Sequence, residues 1–184
     1  MASVLGAALS RRSSPKVTDA APDDDALVAL LEGAARVADH AALRPWRVIA
    51  LRGAARERLG AALAAAAGAE GEAAAKLAGK PLRAPLLIAV VAVTTPDHPK
   101  VPEWEQEASA AGVAHLLSLL LDDAGWGVMW RTGPFTRHPL VARMHGLAPN
   151  ERLLGWLYVG GRTEARRAEG RTDRLAASRL TTLD

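Results

Sequence analysis

The chain of 184 residues contains no cysteine. Disulfide bonds, thiol nucleophiles and cysteine-ligated metals are therefore excluded, and the absence fits a reducing compartment. The five histidines are scattered along the chain, and no two of them have the spacing of metal ligands within one predicted helix or strand. We therefore predict a cytoplasmic protein without a bound metal.

The chain is also poor in tyrosine and phenylalanine, with one of each, and its formal net charge is only +3. Nucleic-acid binding would need clustered positive charge and a known module, and the sequence has neither zinc-finger spacing nor an RNP-like aromatic motif. The apolar stretch at residues 4–9 is too short for a signal peptide, and the one at residues 112–121 is too short to span a membrane. We predict neither a nucleic-acid partner nor a membrane partner.

Glycine-rich phosphate-binding loops are missing as well. No Gly-x-Gly-x-x-Gly follows a predicted strand, and there is no Walker loop. The pattern Gly125-Trp126-Gly127 alone is too short to indicate a nucleotide site. A dinucleotide held on a Rossmann fold is therefore disfavoured.

Residues 102–125 are the stretch around which we expect the fold to be organised. They are long enough for about six turns of helix, with a proline at the start and a glycine at the end. Residues 112–121 are apolar on nearly every face, so this helix should lie inside a core or an interface. Shortly after it, Trp130, Arg131 and Thr132 provide an aromatic ring, a cation and a hydroxyl in a turn where a ligand could bind.

Shorter helices and strands are predicted around this central helix. The predicted helices span residues 3–9, 26–36, 53–67, 70–78 and 138–145. The predicted strands span residues 46–51, 85–93, 127–131 and 153–159. The two helices at 53–67 and 70–78 are rich in alanine and are predicted to lie on the surface. Because strands and helices do not alternate as βαβ units, we predict an α+β fold.

This fold should form one domain at residues 1–161. The tail at residues 162–184 is rich in arginine and has little periodicity. We predict that it is disordered or packs on a partner subunit.

A basic segment follows the first predicted helix. Arg11, Arg12 and Ser13 could hold a phosphate, because guanidinium groups pair bidentately with phosphate oxygens and hydroxyls add donors. The alternative is a solvated basic turn, since charge runs are usually exposed.

Asp39 and His40 form a second polar pair. Asp39 could orient His40 for chemistry, or His40 could be an ordinary loop histidine. The second interpretation is favoured, because no third partner is visible nearby in the sequence.

Several motifs together resemble the nitroreductase family of flavin enzymes, in particular the small single-domain bacterial NAD(P)H nitroreductases. The resemblance covers residues 3–161, and the motifs occur in the family's order with compatible spacing. The motifs are Arg11-Arg12-Ser13, Asp39-His40 with Pro45-Trp46-Arg47, Val101-Pro102-x-Trp104-Glu105-Gln106-Glu107, Gly125-x-Gly127-x-x-Trp130-Arg131 and Gly155-x-Leu157-Tyr158-x-Gly160.

The resemblance implies a nitroreductase-like α+β fold, with a mixed or antiparallel sheet flanked by helices around a long buried helix. It implies a homodimer that binds FMN and transfers electrons from NAD(P)H to a nitroaromatic, a quinone or a similar acceptor by a ping-pong mechanism. Two alternatives remain open. One is an FMN-binding protein for storage or sensing, and the other is an arginine-rich interaction protein.

The resemblance also implies site residues. The expected contacts of FMN are Arg11, Arg12, Ser13, Arg36, His40, Trp130, Arg131 and Thr132. The expected contacts of the nicotinamide nucleotide are Leu120, Leu121, Asp122, Asp123, Ala124 and Gly125. Arg36 is the candidate for electrostatic stabilisation of the reduced flavin, with Arg131 as the second choice, and Arg36 and His40 could come from the partner subunit.

Two positions depart from the family pattern. Arg44 stands where many members carry glutamine, and Pro15 stands where many carry lysine. Both lie in segments expected near the flavin, so they bear on the identity of the electron acceptor.

Overall fold

The computed structural model describes residues 3–163 and 178–183. Its helices are α1 (Val4–Ser10), α2 (Asp24–Ala34), α3 (Ala54–Ala66), α4 (Gly71–Ala78), α5 (Glu103–Asp123) and α6 (Pro139–Met144). Its strands are β1 (Trp46–Leu51), β2 (Leu86–Val93), β3 (Trp126–Arg131) and β4 (Glu151–Gly161). Each of these helices and strands was expected from the sequence, with bounds that differ by at most two residues.

The four strands form one sheet in the order β1-β2-β4-β3, and every neighbouring pair is antiparallel. Successive residues of a strand point to opposite faces of the sheet. Ile88 therefore contributes to the core on one face and Leu87 to the core on the other. The strand β2 is buried on both faces, as its continuous apolar run predicts.

The helix α5 covers one face of the sheet. Val113, Leu117 and Leu121 are fully buried and pack in one apolar cluster with Ile88 and Leu157. Burying such side chains contributes about 1.5–3 kcal/mol each. The prediction of a long buried central helix is confirmed, and its apolar face lies within the core of this chain.

The other face of the sheet is covered by α3 and α6. Leu59 and Leu63 of α3 pack with Leu87 of the sheet and Val141 of α6. The helix α3 lies on the surface, with Glu57 and Arg58 exposed, but its other face is part of the core, where Leu59 is 0% exposed. Leu59 and Leu63 are four residues apart and share one helix face, but the many alanines around them fit either face and obscure that pattern.

The chain between α1 and α2 runs beside β3 and the end of β4. The backbone N–H of Ser14 donates to the carbonyl of Val128 at 2.9 Å, and Thr18 forms an isolated bridge with Gly161. Gly127 leaves room for this crossing, because a Cβ there would lie 2.8 Å from Val17. The segment at residues 11–13 is thereby placed beside β3 and α5.

Among the described residues, no helix is long and apolar enough to cross a membrane. The prediction for the tail at residues 162–184 mostly concerns residues outside the described ones. Arg162 is described, and it pairs with the carboxylate of Asp122 at 2.9 Å.

Candidate functional site

A cavity of about 420 Å³ opens where α1 ends beside α5 and β3. We call it the Arg11 cavity. It is lined by Ala8, Arg11 and Ser13 from the N-terminal segment, by His115, Ser118 and Leu119 from α5, and by Trp130 from β3. Small-molecule sites commonly occupy about 300–1,000 Å³, so this cavity is of ligand size.

Arg11 carries the positive charge of this cavity. Its backbone N–H caps α1 by donating to the carbonyl of Ala7 at 3.0 Å. Within the described part of the chain, its guanidinium forms no salt bridge with a carboxylate. An arginine in a cleft without such a partner is free to bind an anion, and Ser13 adds a hydroxyl to the same cavity.

The aromatic side of the cavity is formed by His115 and Trp130. Their rings meet edge to face with centroids 4.9 Å apart and an interplanar angle of 82°. The Nε1 of Trp130 is buried and has no hydrogen-bond partner among the described residues. Buried donors are usually paired, so this N–H is a candidate contact for a bound ligand.

His115 and Ser118 were not predicted from the sequence. They are the two polar residues within residues 112–121, and they are three positions apart, which places them on one helix face. A polar pair at this spacing in an otherwise apolar helix was the available signal.

The guanidinium of Arg12, unlike that of Arg11, is hydrogen-bonded to the backbone. Its Nη1 folds back and donates to the carbonyls of Leu9 and Arg11, each at 2.7 Å. It therefore caps the end of α1, where carbonyls have no partner within the helix. The interpretation of a simple basic turn therefore describes Arg12 better than Arg11. The contact of Arg12 with FMN stays a prediction.

Arg36 and His40 lie away from the Arg11 cavity of their own chain. His40 lies 2.8 Å from Glu105 through its Nδ1 and lines a shallow cavity with Trp104. Arg36 is exposed just beyond the end of α2. Neither residue lines the Arg11 cavity, so the structure of one chain does not bring them together with Arg11.

Asp39 does not orient His40. Its Oδ2 accepts a hydrogen bond from the backbone N–H of Arg44 at 2.7 Å. This bond holds the turn in which Arg44 has a φ of 49°, in the left-handed region that side chains other than glycine rarely adopt. The favoured interpretation of His40 as a loop histidine without this partner is supported.

Arg131 and Thr132 line a second cavity of about 340 Å³, which we call the Arg131 cavity. The Arg131 guanidinium carbon lies 5.2 Å from the centre of the Tyr158 ring, on the sheet face that α3 and α6 cover. Burial raises the pKa of Tyr158, while the charges of Arg131 and Arg83 oppose that shift. Trp130 lines both cavities.

The segment at residues 120–125 closes α5. Leu121 is fully buried in the core, and the carboxylate of Asp122 pairs with Arg162. None of its side chains lines the Arg11 cavity or the Arg131 cavity. The assignment of this segment to the nicotinamide nucleotide stays a prediction.

The described residues contain no group of three or more metal-ligating side chains that could hold an ion. The chemistry of the Arg11 cavity is that of a positively charged cleft with an aromatic wall. An α+β fold with a positively charged, aromatic-walled cleft is the class of protein that the structure defines.

Comparison with known proteins specifies this class. The sequence profile of the Nitroreductase family matches residues 8–161. The chain is 36% identical over 155 residues to YdjA of Escherichia coli strain K12, whose name contains the term NAD(P)H nitroreductase, and the match covers 83% of this chain and 84% of that protein. The chain belongs to the nitroreductase family, as its motifs indicated.

Solved structures share the fold. A nitroreductase-like family protein from Bacillus cereus has a TM-score of 0.84 at 24% identity, covering 100% of this chain and 97% of that one. A nitroreductase with bound FMN from Bacteroides fragilis has a TM-score of 0.76 at 20% identity, covering 100% of both chains. At these identities the likeness concerns the fold alone, and it confirms the prediction of a nitroreductase-like α+β fold.

Proposed function

We propose that this chain is an FMN-dependent oxidoreductase that transfers electrons from NAD(P)H to a small-molecule acceptor. The observation that carries the proposal is the Arg11 cavity, which joins an arginine without a carboxylate partner among the described residues to the aromatic wall of Trp130 and His115. Membership of the nitroreductase family supports the same activity. When bound, FMN supplies the hydride and electron chemistry, so no side chain of the chain needs to act as a nucleophile.

The residues of the Arg11 cavity fit the parts of FMN. Arg11 would bind the phosphate bidentately, and the hydroxyl of Ser13 would add a donor. Trp130 would give its Nε1–H to an acceptor atom of the cofactor. The edge-to-face pair of Trp130 and His115 would form a wall that keeps water from that side.

We also propose that the working form is a homodimer with a shared site. Val4, Leu5 and Leu9 of α1 are 82%, 68% and 66% exposed, directly before Arg11. A second copy of the chain would cover this apolar face, because exposed apolar patches mark interaction sites. Arg36 and His40 of the partner subunit would then complete the site, with Arg36 stabilising negative charge on the reduced cofactor.

The acceptor and the kinetics complete the proposal. A nitroaromatic or a quinone would take its electrons at the same cleft that NAD(P)H uses, and this sharing gives ping-pong kinetics. Residues 120–125 are the proposed nicotinamide contacts, and the cytoplasm is the proposed location. Parallel double-reciprocal lines over a wide range of acceptor concentration are expected, whereas intersecting lines would contradict a single shared cleft.

The activity is tested by purifying the chain and recording its visible absorbance. We expect flavin bands that bleach on anaerobic addition of NADH or NADPH and return when a nitroaromatic or a quinone is added. Protein with flavin bands that neither nicotinamide bleaches would be a binding or sensing protein instead. Protein that neither retains nor takes up FMN would refute the proposal.

The dimer is tested at α1. Leu5→Glu places a charge on the exposed apolar face, so it should weaken both self-association and FMN binding, since a ligand of the assembled state stabilises assembly. Leu82→Glu is the matched control, because Leu82 is also exposed but lies beside the Arg131 cavity. Sedimentation and flavin absorbance measure the two effects. A Leu5→Glu monomer with its full complement of FMN would exclude the shared site.

A further inference from the structure

One face of α5 holds the segment that carries His40. Glu105 and Ser109 lie four positions apart in this helix, so their side chains share that face. The Oγ of Ser109 donates to the carbonyl of Ala38 at 3.0 Å. A carboxylate oxygen of Glu105 lies 2.8 Å from the Nδ1 of His40. The backbone of the segment and the imidazole ring are therefore each attached to α5 by a contact of their own.

The contact between Glu105 and His40 fixes the state of the imidazole ring. An ionised carboxylate only accepts hydrogen bonds, so the ring nitrogen that it contacts carries a proton. This places the proton of the neutral ring on Nδ1 and leaves Nε2 as a hydrogen-bond acceptor. In proteins the tautomer of a histidine is set in this way, by the hydrogen bond that one of its two ring nitrogens makes.

The pair is placed where a ligand can reach it. His40 and Glu105 line a shallow cavity together with Trp104. Within the described part of the chain, Glu105 makes no second salt bridge. The side chains of His40 and Glu105 are 54% and 30% exposed, so their pairing adds little to the stability of a single chain. Its main effect is therefore on the ring and not on the fold.

We propose that Glu105 is a positioning residue, which holds His40 with the proton on Nδ1 and so offers its Nε2 as an acceptor to the cofactor. The inference rests on the proposed function, in which His40 of the partner subunit completes the flavin site. A hydrogen-bond donor of FMN, such as a ribityl hydroxyl, is the kind of group that this nitrogen would bind. Glu105 acts through His40 and needs no contact with the cofactor itself.

The ring state is read from nitrogen-15 NMR spectra of the full chain, labelled at histidine and recorded without FMN at about pH 8.5, where histidine is ordinarily neutral. The His40 signals are those missing from His40→Gln, and we expect them to show the proton on Nδ1. Glu105→Ala should shift the proton toward Nε2, whereas Glu105→Gln should not, because its amide oxygen still accepts. Glu107→Ala is the matched control, since Glu107 lies on the same helix with 35% exposure and pairs with Arg152.

The effect on the cofactor is measured by titrating the same variants with FMN and following the flavin fluorescence. Glu105→Ala should weaken FMN binding by about two- to tenfold, while Glu105→Gln and Glu107→Ala should stay within about twofold of the unmodified protein. In a His40→Gln background, Glu105→Ala should have no further effect, because it acts only through that ring. The unfolding midpoint without FMN should be the same in all these variants.

Several results would overturn the proposal. They are a proton on Nε2 of His40 in the unmodified protein, an unchanged ring in Glu105→Ala, an unchanged FMN affinity in Glu105→Ala, and a loss of affinity that persists in the His40→Gln background. Failure of the proposed function is a different result, because the unmodified chain would then take up no FMN in its own titration. The spectra without FMN would still decide whether Glu105 sets the ring of His40.

Discussion

Arg47 and Arg11 have opposite surroundings, although both lie near the central sheet. The Nε and Nη2 of Arg47 donate to the two carboxylate oxygens of Glu151 at 2.6 and 2.8 Å, which joins β1 to the start of β4. Glu151 also accepts a hydrogen bond from the backbone N–H of Ala148 at 2.9 Å. Arg11 has no carboxylate partner in the described residues and lines a cavity of ligand size. The paired arginine stabilises the fold, and the unpaired one is available for a ligand.

The same contrast holds for two buried aromatic donors. Trp156 donates from its Nε1 to the Nε2 of His145 at 3.0 Å, whereas the Nε1 of Trp130 has no partner among the described residues. Two of the buried donors without a partner among the described residues, on Trp130 and Arg131, lie at the two cavities, and a third, the Nε of Arg56, lies on α3 outside them. Substitutions on the two sides of this contrast should therefore affect different measurements.

The largest effect is expected for Arg11→Ala. This change removes a charge-assisted contact with phosphate that is worth about 1.5–3 kcal/mol, so FMN affinity should fall by about tenfold to a hundredfold. The fold should be unchanged, because Arg11 makes no ion pair among the described residues. Flavin absorbance of the purified variant and its unfolding midpoint without FMN measure the two effects.

Arg12→Ala is the matched control for that variant. Its guanidinium caps the last carbonyls of α1, so its removal should cost a few tenths of a kcal/mol in stability and leave FMN affinity within about twofold. Equal loss of FMN in both variants would mean that the segment as a whole, rather than the free guanidinium of Arg11, holds the cofactor.

The contrast also explains which features the sequence could predict. The helix α5 was predictable because a segment that is apolar all round needs no periodicity to be assigned to the core. The opposite orientations of Trp130 and Arg131 were predictable too, since consecutive strand residues point to opposite faces. The family resemblance implies that both residues contact FMN, and the structure places the Arg131 side chain beside Tyr158.

Other features depend on contacts that one sequence does not contain. The partner of His40 is Glu105, which lies 65 positions away, and the neighbouring Asp39 is engaged by Arg44. The pairing of Arg47 with Glu151 spans 104 positions. Such pairs form only when the sheet and its helices assemble, so spacing along the chain gives no signal for them. The positions of Arg36 and His40 relative to a second subunit lie beyond the structure of one chain.

The second prediction concerns the paired arginine. Arg47→Ala leaves the carboxylate of Glu151, whose side chain is 9% exposed, without its main partner. Because Arg47 itself is 39% exposed, solvent moderates the loss, and we expect a destabilisation of about 1–2 kcal/mol. Chemical unfolding at saturating FMN should show the loss while FMN affinity stays unchanged. A release of FMN without any loss of stability would reverse the proposed roles of the two arginines.

The last and smallest effect is the pH dependence of the folding stability that the buried His145 should cause. Its Nδ1 lies 2.8 Å from the carbonyl of Val141, and its Nε2 faces the N–H of Trp156, so the neutral form with the proton on Nδ1 satisfies both contacts. Burial lowers the pKa of His145, with a further contribution from the charge of Arg47. The unfolded state therefore binds a proton more readily than the folded state as the pH falls below about 6.5, and stability should decrease with falling pH from there.

The carboxylate of Glu151 does not interfere in this range. The hydrogen bond from Arg47 is the main reason why the pKa of Glu151 is lowered in the folded state. The stabilisation that this carboxylate provides is therefore complete at any pH above its pKa in the unfolded chain, and it is lost as the pH falls through the folded-state pKa. Over the range from pH 7.5 to 5.5 the carboxylate therefore adds no slope, and the contribution of His145 is the difference between the slopes of the wild-type protein and of His145→Gln, in which the other four histidines are unchanged. The expected slope is at most about 1.4 kcal/mol per pH unit.

His145→Gln, which cannot titrate, should remove this contribution to the slope. Trp156→Phe should reduce it, because a protonated Nε2 would no longer face an N–H donor. FMN affinity should not follow the same slope in either variant, since His145 lies outside the Arg11 cavity. If His145→Gln kept the wild-type slope, the pH dependence would belong to other groups. His145 would then not be one of the side chains whose complete hydrogen bonding stabilises the fold.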